Sequence, residues 1–78
     1  MQSRYPVVDL KATGKRIKHL REQHNMSVRD LQIQLGFESP QAIYKWQWGE
    51  SLPSIDNLII LAHIFNCTIN DIIVTTIY

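Results

Sequence analysis

The amino-acid sequence predicts a compact all-α domain, a bundle of five helices. Three observations carry that expectation. A hydroxyl or carboxylate suited to capping a helix stands at Asp9, Ser27, Ser39, Ser54 and Thr68, each just ahead of an apolar periodic stretch. Between these caps the apolar residues return at the three- and four-residue spacing of a helix face. The chain has 78 residues and one cysteine, which suits one small domain with no internal disulfide framework.

Asp9 caps a first helix expected over Leu10–His24, with Leu10, Ile17 and Leu20 on its inner stripe and Thr13 and Gly14 as small residues beside it. Glycine inside a helix costs about 1 kcal/mol relative to alanine, so Gly14 marks a close approach or local strain. Asn25 suits the left-handed turn that ends such a helix. Ser27-Val28-Arg29-Asp30 is a capping box with Asp in place of the usual Glu or Gln, and Met26 and Leu31 stand where a hydrophobic staple closes. The second helix, expected over Val28–Leu35, turns Leu31 and Leu35 inward and stops at Gly36. After a short link, Phe37-Glu38, the pair Ser39-Pro40 reads as a cap followed by proline at the first helical position, where its missing N–H costs nothing. The third helix, expected over Pro40–Trp48, places Ile43 and Trp46 inside, leaves Gln41, Tyr44 and Lys45 outside, and ends at Gly49. Ser54 caps a fourth helix, Ile55–Phe65, with Leu58, Leu61, Ala62 and Phe65 at core spacing. Ile59, Ile60 and Ile64 make it apolar almost all round, so it is central or meets a second surface. Thr68-Ile69-Asn70-Asp71 is another capping box, for a short fifth helix expected over Ile69–Val74. The β-branched tail, residues 72–78, suits extended chain equally well. Residues 9–78 thus form a single domain, and residues 1–8 are expected to be a flexible N-terminal arm.

The formal net charge is +1, but its distribution is uneven. Residues 1–48 hold all eight basic side chains, whereas residues 49–78 hold three acidic ones and no basic one. One positive face is therefore expected, and the local field governs polyanion binding. No apolar run approaches the roughly 18 residues of a membrane-spanning helix, and the start of the chain lacks the apolar core of a signal peptide. A cytoplasmic location is expected. His19, His24 and His63 are dispersed, and one cysteine cannot build a thiolate zinc site. The acidic residues stand singly, with no phosphate-cradling glycine loop and no nucleophile–base pair at a recognisable spacing. The expectation is no enzyme, no metal and no cofactor.

The second and third helices are the informative pair. Two short capped helices, joined by a few residues and anchored by two apolar side chains each, form a helix-turn-helix unit over about residues 27–48. The outer face of its second helix projects, and a helix of that diameter fits the major groove of B-DNA. Arg16-Ile17-Lys18, Leu20-Arg21-Glu22, Met26-Ser27, Leu31, Leu35-Gly36, Ile43, Lys45-Trp46, Gly49, Leu52-Pro53-Ser54, Leu58, Leu61-Ala62 and Phe65 resemble the phage-repressor and Cro type of helix-turn-helix domain. That is the xenobiotic-response-element family of bacterial and phage regulators. The resemblance implies a five-helix lambda-repressor-like DNA-binding domain, commonly dimeric on a palindromic operator, whose third helix reads bases. The chain departs from the family pattern in three places. Ile43 lies one residue further from Gly36 than in the commonest form, which lengthens the turn. Gln47 stands where the family often has a Glu paired with an Arg matching Arg21, so a neutral amide–cation hydrogen bond is expected. Trp48 occupies a place that is usually polar and often close to the DNA backbone.

On the expected reading helix, Gln41 is the first candidate for base contact, because its amide can pair with adenine N6 and N7. Lys45 reaches guanine or a phosphate, and Tyr44 reaches a sugar or a thymine methyl. Ser27 and Ser39 head helices whose free N–H groups suit a phosphate. Arg29, Lys15, Arg4 and Trp48 complete the candidate backbone contacts. The partner expected is double-stranded DNA carrying a short inverted repeat, bound by a homodimer formed through residues 55–78 and acting as a transcriptional regulator, a repressor in the first instance. The alternative is a protein-binding module, such as the antitoxin half of a toxin–antitoxin pair, with or without operator binding.

Overall fold

A computed structural model describes residues 4–77. Its elements run β1 (Pro6–Val8), α1 (Leu10–Gln23), α2 (Val28–Leu35), α3 (Gln41–Trp48), α4 (Ile55–Ile64), α5 (Ile69–Ile72) and β2 (Thr75–Ile77). The five-helix all-α bundle is present. Ile17, Leu31, Ile43, Trp46, Leu58, Leu61, Phe65 and Ile72 form one core to which every helix contributes.

The caps explain the boundaries. Asp9 accepts the Ala12 amide at 2.9 Å, and Asn25 takes the left-handed turn after α1 with φ at 55°. In α2 both halves of the capping box form: Ser27 Oγ accepts from the Asp30 amide at 3.0 Å, and the Ser27 amide donates to Asp30 Oδ2 at 2.8 Å. Gly36 closes α2 at φ 72°. Ser54 caps α4, and Thr68 and Asp71 form the second complete box. The carboxyls of Asp30 and Asp71 are held below the usual Asp value, chiefly by the amide N–H groups of Ser27 and Thr68 respectively.

Several expectations need correction. Ser39 does not cap α3: the cap position is Pro40, without a side-chain hydrogen bond, and the helix starts one residue later. The longer turn lets Phe37 pack edge-on against Trp46 at 5.8 Å, while Gln32 Nε2 donates to the Phe37 carbonyl at 3.2 Å. Packing thus sets the path of the link, and the Ser39 hydroxyl is not drawn to the helix end. The fifth helix stops at Ile72, because Ile73 is already extended. Leu10 is exposed and Leu35 only half-buried.

The expected N-terminal arm is, at Pro6–Val8, a strand paired antiparallel with Thr75–Ile77. Residues 1–3 lie outside the described residues. From Ile73 to Ile77 the tail thus takes its extended alternative, while Ile72 stays in α5. The Asp9 amide prolongs the pairing to the Val74 carbonyl at 2.8 Å, and Thr13, buried beneath it, binds Val74 through its hydroxyl. All six residues of the ribbon are exposed, and the molecule measures 48 × 23 × 20 Å.

Candidate functional site

The site is built on α3, and three attachments fix that helix. The first is burial of Ile43 and Trp46. The second is the approach of α1: a Cβ added at Gly14 would collide with the carbonyl oxygens of Trp46 and Gln47. Gly14 is therefore the contact point that lets the two backbones meet. The third is a set of cationic hydrogen bonds from α1. Arg21 Nε donates to Gln47 Oε1 at 3.0 Å, and its Nη1 to the Met26 carbonyl at 2.8 Å. Lys11 Nζ donates to the Trp48 carbonyl at 3.3 Å, where the negative end of the α3 dipole favours a cation. The amide–cation hydrogen bond expected between Gln47 and Arg21 is present.

The opposite face of α3 is left open. Gln41, Tyr44, Lys45 and Trp48 share it, as their spacing requires, and line a groove of about 210 Å³. The Tyr44 and Trp48 rings stack with centroids 5.6 Å apart and planes 22° from parallel. Trp48 is 58% exposed and Tyr44 37%. The groove thus offers an amide with both donor and acceptor, an ammonium, and an apolar aromatic wall. A second, shallower hollow of about 290 Å³ lies over the turn, lined by Gly36, Phe37, Glu38, Ser39 and Ala42.

Of the candidates read from sequence, Gln41, Tyr44, Lys45 and Trp48 are brought together. Ser39 lies in the neighbouring hollow. Ser27 and Arg29 are exposed at the start of α2, and the Ser27 hydroxyl and amide are both engaged in the cap. Lys15 and Arg4 are exposed but outside the groove. Two cations make contacts that no sequence signal announced. Besides Lys11, Arg16 Nη1 donates to the Asp71 carbonyl at 2.6 Å, tying α1 to α5. A basic residue in a helix signals readiness to meet a carbonyl; which carbonyl it meets is set by tertiary packing.

Cys67 is half-buried, and its thiol is pushed above its usual value by burial and by nearby Asp71. Among the described residues no group of three or more His, Cys, Asp and Glu side chains can hold a metal ion. No helix there is long and apolar enough to cross a membrane.

A protein-family model described as Helix-turn-helix matches residues 17–72. No curated protein matches the chain. Among solved structures, the restriction-modification controller protein C.AhdI from Aeromonas hydrophila superposes with a TM-score of 0.73 at 22% identity, over 82% of this chain and 96% of that one. The DNA-binding domain of BldD superposes with a TM-score of 0.70 at 14% identity, over 83% of this chain and 93% of that one. The Fe(II) form of HppE with substrate gives 0.75 at 24% identity, over 85% of this chain but 38% of that one. At such identities the likeness is one of fold.

Proposed function

The chain belongs to the helix-turn-helix family, and from that premise we propose that it is a sequence-specific double-stranded-DNA-binding regulator of transcription, acting as a repressor, that reads the major groove with α3. One observation carries the reading: the face of α3 turned away from the core gathers Gln41, Tyr44, Lys45 and Trp48 in one groove, on a helix held rigidly from behind by Gly14, Lys11 and Arg21. Gln41 contacts a base edge, and Lys45 a base or phosphate. Arg29, Lys15 and Arg4 add backbone contacts, and Ser39 meets a phosphate through its hydroxyl from the turn before α3, as Ser27 does from the exposed edge of its cap. The protein works in the cytoplasm, on the nucleoid when bound.

A homodimer is part of the same proposal. Ile55, Ile59 and Ile60 of α4, with Ile77 of the ribbon, are exposed large apolar side chains, and apolar surface of this kind commonly marks an interface where it is contiguous. A two-fold axis there, within residues 55–78, would set two reading helices about 34 Å apart, on successive turns of an inverted repeat.

Selection of bound duplexes from random DNA tests the reading. The expected result is enrichment of a short inverted repeat. Gln41→Ala should then weaken the best site by about 1–3 kcal/mol and random DNA much less, because a bidentate base contact distinguishes sequences. Affinity should also fall with added salt, modestly in slope, since few cations face the duplex. Full retention of site preference by Q41A would overturn the assigned face. The same α4 surface also suits a protein partner such as a toxin; co-purification of one, with no duplex enriched, would favour that second reading.

A further inference from the structure

We infer that the stacked rings of Tyr44 and Trp48 read the C5-methyl group of a pyrimidine, so that the preferred duplex carries thymine at a fixed place beside the base pair met by Gln41. The inference rests on the DNA-binding reading above and names what the groove selects. Both rings are open to solvent although each is large, and they stack on one another at 5.6 Å. Each therefore restrains the other, and the aromatic wall is in place before any partner arrives. Lys11 holds the Trp48 carbonyl and Gly49 closes the helix immediately after it, so the backbone that carries the wall is pinned as well.

The chemistry of the groove narrows the occupant. Its polar groups, Gln41 and Lys45, match the acceptors and donors of base edges and the negative charge of the duplex. Its apolar wall needs an apolar group, and the only one that base edges present in the major groove is the C5-methyl of thymine. A methyl seated on a ring face is also drawn to the negative face of the ring's quadrupole. Along α3, Gln41 and Trp48 are about 10 Å apart by helical rise. That spans up to about three base steps of the duplex. The methyl contact thus belongs within about three base pairs of the one that Gln41 reads.

The test needs no altered protein at first. Duplexes selected from random DNA by the wild-type chain are resynthesised with uracil in place of each thymine, one at a time, which deletes a methyl and leaves every hydrogen-bonding group unchanged. One or two replacements near the Gln41 position should weaken binding about fourfold each, the loss equivalent to one buried methyl. The Tyr44→Ala/Trp48→Ala double variant, checked for an unchanged melting temperature, should bind thymine and uracil duplexes alike while keeping its preference at the Gln41 position. Indifference of the wild type to every uracil replacement overturns the inference. So does a penalty that persists in the double variant, or a double variant that loses affinity uniformly on all sequences, which would lay the rings on the sugar–phosphate backbone. If no duplex is enriched at all, the DNA-binding reading itself falls, an outcome distinct from the others.

Discussion

Thr13 satisfies a strand with one hydroxyl. Buried on α1, it accepts the Val74 amide at 3.0 Å and lies 3.4 Å from the Val74 carbonyl, just where the chain leaves α5 and becomes extended. Thr13→Val keeps the shape and removes the acceptor. Leaving this part-buried amide without its acceptor costs about 1 kcal/mol, the low end for an unsatisfied group, and in a domain of this size each kcal/mol is worth about 4–8 °C of melting temperature. Circular-dichroism melts should show that loss for T13V and very little for Thr13→Ser; equal melting of T13V and wild type would mean that the amide finds another partner. Gly14, its neighbour, works by absence. In Gly14→Ala the new methyl meets backbone oxygens of α3 that no rotamer change can move. Overpacking of that kind costs about 1–3 kcal/mol, against a gain in helix propensity of about 1 kcal/mol. G14A should therefore melt below wild type. It should also bind its selected duplex more weakly, since α3 can make room only by shifting. A higher melting temperature in G14A would show the two helices to be further apart. Gly14 was legible in the sequence because glycine inside a helix asks for a reason. Thr13 was not, because its partner lies in the tail, far along the chain.

At the scale of elements, α2 was legible to the residue and α3 was not. A complete capping box and a left-handed glycine mark both ends of α2 locally, and local chemistry is what a sequence displays. The start of α3 depends instead on Phe37 finding Trp46 and on Gln32 holding the link, and those contacts exist only once the fold does. The outer face of α3 followed from helical periodicity alone, whereas the Arg21–Gln47 bond was implied only by the family resemblance. The bonds of Lys11 and Arg16 to distant carbonyls carried no such sign. The capping boxes also predict a response to acid. Both Asp30 and Asp71 have lowered values in the folded chain, so their contribution is complete above the ordinary Asp value of about 4. It is lost as pH falls below that value and through the lowered ones. Denaturant midpoints measured from pH 6 to pH 2.5 should decline for wild type, and decline less for Asp30→Asn combined with Asp71→Asn. Parallel declines would mean that other carboxyls govern acid unfolding.

The whole molecule divides its labour along the chain. All the lysines and arginines precede Gly49, while beyond it Ile55 and Ile59, one turn apart on α4, are among the most exposed large apolar side chains described. Self-association is therefore best tested on α4. Ile72 is in the core and Ile73 packs against it, so a charge at Ile73 would disturb the fold itself, whereas Ile55→Asp with Ile59→Asp alters exposed positions. Sedimentation equilibrium between about 1 and 100 μM should give a dimer for wild type and a monomer of unchanged helical content for the double variant, since a carboxylate carried into an apolar contact loses its hydration without gaining a partner. A wild-type monomer across that range, with or without a selected duplex, would reject the dimer. The ribbon has a mechanical consequence. Because Pro6 faces Ile77 and Val8 faces Thr75, the outer ends of both strands lie together, with the helices at the other end. A tension applied between Tyr5 and Ile77 therefore loads the rungs one at a time from the tip, like a zipper, rather than all at once in shear. In a single-molecule pulling experiment the ribbon should part first and at low force, leaving α1–α5 to give way in a separate, later step.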